Sequence, residues 1–311
     1  MNKNLPKIAM GAWAWGDTDG YFGNTMTGEE FRPIFEAAMK AGLNLWDTAT
    51  AYSNGESEKI LGGFVKDAGR ENVLVSTKFT PQMAGMYGDS VEKMCEASLE
   101  RMDMDYFDIY WIHNPVGAPE YTKQLIPLLQ SGKVKSVGVS NHNLAQIKEA
   151  DEILKAAGYK VSAVQNHYSL MNRSSEESGI IAYCKENNIV FYGYMTLEQG
   201  ALSGKYDTEH PFPEGSARAK VFNPMLPQIE VITAELKKVA TSHGVSAAQV
   251  ATAYAVNKGV LPILGVTKIY QVEEAVKIAD IVLTAEEIAA LEAAADKSGV
   301  DSIQFWESKM E

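Results

Sequence analysis

Val73-Leu-Val-Ser-Thr-Lys78, Ser90-Val-Glu-Lys-Met-Cys-Glu-Ala-Ser-Leu-Glu-Arg101 and Tyr106-Phe-Asp-Ile-Tyr-Trp-Ile112 decide the fold. The outer two stretches are short, β-rich and nearly continuously apolar. Strands read this way when they are parallel and covered on both faces. The middle stretch places Val91, Met94, Cys95, Ser98 and Leu99 on one face at helical spacing. The three together predict strand, helix, parallel strand.

The same alternation extends both ways along the chain. Further strands are expected at Lys7–Gly11, Leu43–Asp47, Val134–Ser140, Val161–Gln165, Ile189–Tyr194 and Val260–Leu264. A helix over Tyr270–Ile281 groups Val272, Ala275, Val276 and Ala279. Thr284 and Glu287 have capping-box spacing, and Leu283 and Ile288 that of a hydrophobic staple. Eight β-α units at a spacing of roughly 30 residues predict a TIM barrel, an α/β fold of the (β/α)8 type, as one domain over residues 1–311. The rival is a doubly wound open sheet. It usually carries GxGxxG after its first strand. Here the first strand runs into Gly11-Ala-Trp-Ala-Trp-Gly16, and the chain contains no GxGxxG. Between strands seven and eight the gap is about twice the others. It holds a loop, Gly200–Pro227, with prolines at 211, 213, 224 and 227, which reads as a lid or clamp.

The bulk numbers exclude several classes. Net charge is −12, from 40 acidic and 28 basic residues, so nucleic acid and anionic membranes are not expected partners. No signal peptide and no membrane-spanning apolar run is evident. Cys95 and Cys184 belong to no CxxC pair and read as reduced core thiols, which points to a cytoplasmic protein. The five histidines show no metal-ligand spacing, so no metal is expected. His142 and His167 are placed behind the site, and His210 and His243 in solvent. Trp46 and Trp111 are expected to face the helix layer. Ser140 lacks the second glycine of a nucleophile elbow.

A barrel places its chemistry at the C-terminal ends of its strands. Asp47, Lys78 and His113 each close an apolar strand, and Tyr52 follows Asp47 on the same loop. Strands two, three and four are neighbours, so these side chains should converge. That set suits carbonyl reduction. A hydride arriving at the carbonyl carbon leaves charge on oxygen, which needs a proton. Lys78 would lower the Tyr52 phenol pKa by roughly 1–3 units. Asp47 would hold Lys78 protonated, and His113 would orient the substrate oxygen.

The chain also resembles the aldo-keto reductase superfamily over nearly its whole length. The matching stretches are Gly42–Tyr52 with Ser57-Glu58, Val75–Lys78, Leu99–His113, Gly132–Asn141, Val164–Tyr168 with Leu170–Arg173, Gly200–Tyr206 and Pro262–Gln271. The resemblance places the catalytic tetrad on Asp47, Tyr52, Lys78 and His113. It implies NADP(H) as the preferred cofactor, with NAD(H) as the other candidate. The carboxamide would meet Ser140, Asn141 and Gln165, with the ring on Tyr194. Gly11, Trp13 and Asp47 complete that end. The pyrophosphate would lie under Leu197–Ser203, including Gln199, Gly200 and Ser203, with Lys205 nearby. The adenosine phosphate would meet Gly265, Thr267, Lys268 and Gln271. A C-terminal tail is expected over the mouth. Three positions depart from the family pattern: Thr267 where Arg or Lys is common, Ala275 where Asn is common, and Tyr194-Met-Thr-Leu197 for Tyr-Ser-Pro-Leu.

The mouth reads as aromatic. Trp13, Trp15, Tyr21 and Phe22 follow strand one; Phe79, Met83, Met86 and Tyr87 follow strand three; Phe305 and Trp306 lie on the tail. Trp15, Phe22, Phe79, Tyr87 and Trp306 are the expected substrate pocket for an aliphatic or aryl carbonyl. Two other functions stay open: a Schiff-base lyase or aldolase using Lys78, and a cofactor-binding regulatory subunit with little turnover, like the potassium-channel β subunits of the same superfamily.

Overall fold

The computed structural model describes residues 5–18, 20–23, 26–304, 307 and 310. Eight parallel strands close into a barrel in chain order. They are β1 (Ala9–Gly11), β2 (Leu45–Asp47), β3 (Leu74–Phe79), β4 (Phe107–Ile112), β5 (Val134–Ser140), β6 (Ala163–His167), β7 (Val190–Tyr194) and β8 (Leu261–Gly265). All eight expected strands form. Three of them, β1, β2 and β6, start two residues later than expected. The helices also appear where the periodicity put them. Val91–Met102 is capped by Ser90, whose side chain accepts from Lys93 N–H. Ala285–Ser298 starts with the Thr284/Glu287 capping box. The gap between β7 and β8 contains two full helices, Leu226–His243 and Ala247–Asn257.

Strand pairing fixes which side chains face inward. Gly11 pairs with Asp47, Asp47 with Ser76, and Lys78 with Trp111. Side chains alternate with a period of two, so Ser76 and Lys78 point into the barrel and Phe79 points out. The interior is filled by Ala9, Leu45, Ile109, Trp111, Ala163, Tyr192 and Leu261. Trp46 faces the helix layer as expected. Trp111 does not: it lies inside the barrel, edge-on to Tyr192 with ring centroids 5.2 Å apart. This large ring is accommodated by a missing side chain. A Cβ on Gly138 would stand 2.4 Å from the Trp111 ring and 2.7 Å from the Ala163 carbonyl. Cys95 and Cys184 are free and buried. Among the described residues, no helix is long and apolar enough to cross a membrane.

Gly138→Ala should therefore destabilise the fold by about 1–3 kcal/mol or more through overpacking. Equilibrium urea unfolding checks this; an unchanged midpoint would mean that the interior has slack which the tight contact denies.

Candidate active site

The barrel mouth gathers the four expected residues. Lys78 has no exposed side-chain surface, and its ammonium lies 2.5 Å from Asp47 Oδ2. It donates also to the Thr48 carbonyl at 2.7 Å and to the Tyr52 hydroxyl at 3.2 Å. Three protons thus have three acceptors. The second Asp47 oxygen accepts from Ser76 Oγ at 2.5 Å and from Gln165 Nε2 at 3.2 Å. An uncompensated buried charge is costly, so each contact is part of what keeps the ion pair in place. Burial pulls the ammonium pKa down, but Asp47 and then Tyr52 outweigh it, and the pKa is raised above the ordinary lysine value. A Schiff-base nucleophile must be neutral. This charged, fully bonded lysine argues against the lyase reading.

Tyr52 is carried by a tight turn in which Ser53 (φ 48°), Asn54 (φ 54°) and Gly55 (φ 89°) are left-handed. Behind it, Ser57 Oγ donates to the Ala12 carbonyl at 2.7 Å. Buried Glu58 takes Thr77 Oγ1 at 2.6 Å and Arg101 at 2.6 Å. The phenol pKa is raised, not lowered as the sequence suggested. Burial outweighs the nearby ammonium, whose charge is largely cancelled by Asp47. His113 lies edge-on to Tyr52, with ring centroids 5.9 Å apart. Its Nδ1 lies 3.1 Å from Thr80 Oγ1. Burial, then repulsion by Lys78, lowers its pKa to about 3, so the ring is neutral and can present Nε2 to a substrate.

The other expected contacts sort into three groups. Ser140 and Asn141 end β5, Gln165 lies in β6 and Tyr194 ends β7, all beside the tetrad. Asn141 is left-handed (φ 62°); its amide donates to the His113 carbonyl at 2.9 Å and its Oδ1 accepts from Tyr194 at 2.6 Å. After β7, Glu198, Gln199 and Gly200 are successively left-handed, curling the loop from Leu197 toward the mouth. Gln199 Nε2 reaches Tyr21 at 3.0 Å, bridging this loop to the one after β1. Ser203 donates to the Gly200 carbonyl, and Lys205 lies over the Tyr206 ring. After β8, Gly265, Thr267 and Lys268 lead into the helix Ile269–Ile278. The Gln271 side-chain oxygen caps that helix, accepting from the Thr267 and Lys268 N–H groups. The expected Gln271 contact with the cofactor is thus limited to its amide nitrogen.

The pocket expectations need more correction. Trp13 stacks on Tyr52 with centroids 5.8 Å apart, and Phe22 sits edge-on to Trp13 at 4.9 Å. Trp13 is thus at the mouth, while Phe22 packs on it from the side of the cavity that Arg218 and Lys268 line. Trp15 is not at the mouth. It is wholly buried against Phe31, Trp46 and Phe64, with its indole N–H on the Val266 carbonyl. Phe79 packs outward on Tyr121, as its position next to inward Lys78 requires. Tyr87 faces Arg101 on the flank, and Met86 is 76% exposed. Phe305 and Trp306 lie outside the described residues. His210 is in solvent as expected, but His243 is only partly exposed and bonds Glu287 at 2.9 Å. The long loop is folded: Phe212 is buried against Tyr206, and a short helix, Ala217–Phe222, carries Arg218 inward.

Sequence reasoning missed Arg218, Glu198 and Glu307. Arg218 was detectable as the only arginine in the long loop. A cavity of about 340 Å³ lies among Phe22, Met26, Arg218, Thr267 and Lys268. Arg218 Nε is buried there without a hydrogen-bond partner among the described residues. Glu198 and Glu307 converge on His167, which stacks under Tyr194 with centroids 5.5 Å apart.

With this geometry in view, comparisons with known proteins agree. The family model described as "Aldo/keto reductase family" matches residues 7–296. The chain is 31% identical to the chloroplastic pyridoxal reductase of Arabidopsis thaliana over 316 residues, covering 97% of this chain and 86% of that protein. The NADP(+) aldo-keto reductase yakc of Schizosaccharomyces pombe is 30% identical over 79% of this chain and 76% of its own. The glycerol dehydrogenase AKR11B4 of Gluconobacter oxydans superposes with a TM-score of 0.81 at 25% identity, covering 99% of this chain and 97% of that one. The chain belongs to the aldo/keto reductase family and is an oxidoreductase of the nicotinamide-dependent, carbonyl-reducing kind.

Two histidines, His167 behind Tyr194 and His113 beside Tyr52, carry opposite pH signatures. His167 is raised to about 10: burial pulls it down, and Glu198 and then Glu307 outweigh it. Its stabilising contribution is complete below the unfolded value of about 6.5 and is lost as pH rises through about 10. His113 is depressed, so its contribution is present above about 6.5 and is lost as pH falls toward 3. Ring NMR between pH 5 and 8 should find His113 neutral and His167 cationic throughout. A midpoint near 6.5 for either would contradict the assignment.

Proposed function

We propose that this enzyme reduces an aldehyde or ketone to the alcohol with NADPH, and that Tyr52 supplies the proton. The observation that carries this reading is the placement of the Tyr52 hydroxyl 3.2 Å from a buried ammonium already held by Asp47 and Thr48. Neutral His113 donates through Nε2 to the substrate oxygen and aligns it with the phenol. As charge develops on that oxygen, the Tyr52 proton moves to it, and Lys78 stabilises the phenolate left behind. Asp47 keeps Lys78 charged and in register throughout. When bound, the nicotinamide supplies the hydride to the carbonyl carbon.

The residues fit a phosphorylated dinucleotide. The cavity near β8 brings Arg218 and Lys268 together, one of them with an unused buried N–H. Two cations suit a 2′-phosphate, and Arg218 offsets the absence of a basic side chain at Thr267. Open space surrounds the missing Cβ of Gly265, so a ligand can approach the backbone there. Ser140, Asn141 and Gln165 offer amide and hydroxyl groups for the carboxamide, with Tyr194 beneath the ring. Trp13 stacked on Tyr52, with Phe22 edge-on to it, favours aryl or aliphatic carbonyls over free sugars. The unpaired thiols of Cys95 and Cys184 suit a cytosolic enzyme.

Tyr52→Phe should lower kcat by about 10²–10⁴-fold while leaving NADPH binding unchanged, because only the proton donor is removed. Steady-state kinetics and fluorescence titration check both halves; a variant near full activity would sink the mechanism. Separately, Arg218→Met and Lys268→Met should each weaken NADPH by about 10-fold or more and barely affect NADH. Equal losses for both cofactors would remove these residues from phosphate recognition.

A further inference from the structure

The mechanism leaves one cluster of buried ionisable groups unused, directly behind Tyr194. His167 closes β6, with a side chain 1% exposed. Its Nε2 lies 2.7 Å from Glu198 Oε1, and its Nδ1 lies 2.9 Å from Glu307 Oε2 and 3.0 Å from the Asn172 amide nitrogen. Both carboxylates are dry, at 0% and 2% exposure. The hydroxyls of Ser169 and Ser302 also reach Glu198. His167 and its two carboxylate partners thus tie together β6, the loop after β7 and the segment after the last helix.

The other oxygen of Glu307 accepts from the Tyr194 hydroxyl at 2.7 Å. That same hydroxyl lies 2.6 Å from Asn141 Oδ1. The Asn141 amide nitrogen is directed at the His113 carbonyl and at Ser140 Oγ, which fixes Oδ1 as the atom facing the phenol. A phenol has one proton, and neither a carboxylate nor an amide oxygen can donate. The Tyr194 proton therefore serves one of these acceptors at a time.

We propose that Glu307 is a positioning residue for the nicotinamide. It takes the Tyr194 proton and so frees Asn141 Oδ1 to accept from the carboxamide N–H. It also tethers the ring on which the nicotinamide rests. This rests on the assignment of Asn141 and Tyr194 as nicotinamide contacts. Glu307→Gln reverses the switch. The glutamine oxygen must face the Gln304 N–H, which donates at this position in the native chain, so its NH2 faces Tyr194 and donates to the phenol oxygen. The phenol proton then turns to Asn141 Oδ1, the other acceptor 2.6 Å away, in competition with the carboxamide.

The test uses two probes: NADPH, and adenosine 2′,5′-bisphosphate, which has no nicotinamide. In the full chain, Glu307→Gln should weaken NADPH by about 10-fold and leave the bisphosphate unchanged. In a Tyr194→Phe background the phenol proton is gone, so adding Glu307→Gln should weaken NADPH by less than about 3-fold. Unchanged NADPH affinity in Glu307→Gln, with both probes binding the native chain, overturns the inference and leaves the cofactor site standing. Equal weakening of both probes assigns Glu307 to holding the tail, and also overturns it. If neither probe binds the native chain, the cofactor site itself is wrong and the inference falls with it. Should Glu307→Gln fail to fold, Tyr194→Phe alone decides. NADPH affinity within about 3-fold of native, with the ring kept and Asn141 freed, is expected; a loss of 10-fold or more contradicts the account.

Discussion

A lysine ammonium with no contact to solvent sits at the floor of the barrel mouth, and the rest of the site is arranged around it. Such a charge can persist only with an opposite charge and full hydrogen bonding. Asp47 supplies the charge from the neighbouring strand, and the Thr48 carbonyl and the Tyr52 hydroxyl complete the bonding. The Tyr52 phenol is thus part of what keeps the lysine tolerable. Stability and chemistry depend on the same three contacts, which leaves little freedom for Tyr52 to move.

The barrel delivers this arrangement through register. Asp47 pairs with Ser76, and Lys78 follows two residues later on the same face. Gly138 leaves room for Trp111, which pairs with Lys78 and plugs the interior at the same level. Water is thereby excluded from below. Desolvation in the mouth pushes the Tyr52 phenol up and the His113 imidazole down, so both are neutral at ordinary pH. One can donate a proton and the other can hydrogen-bond without competing for it.

The strands were legible because parallel, doubly covered strands are apolar throughout, and the helices because their apolar spacing is regular. The meeting of Asp47, Lys78 and His113 was legible because each is polar at the end of an apolar run, and Tyr52 because it follows Asp47 on the same loop. Phe79 was assigned to the mouth although parity with Lys78 already excluded it: consecutive strand residues face opposite ways. Trp111 could have been placed inside by the same argument, through its pairing with Lys78. Trp15 needed the tertiary structure, since it lies in a loop where no period applies. The fold turns Glu198 inward onto His167, a partner that no local pattern joins to it. Glu307 lies 140 residues from its His167 partner, and no local pattern joins them. The lowered Tyr52 pKa was wrong because it counted Lys78 and omitted desolvation.

The central claim is that a proton on Tyr52, governed by the Asp47–Lys78 pair, limits carbonyl reduction at high pH. The direct measurement is the alkaline limb of kcat against pH, in the native chain and in Asp47→Asn. Asp47 raises the phenol pKa. Replacing its charge with an isosteric amide favours deprotonation of the coupled Lys78–Tyr52 pair, so the alkaline limb should move to lower pH. A limb that stays in place, in a variant that still folds and turns over, would mean that the proton comes from elsewhere.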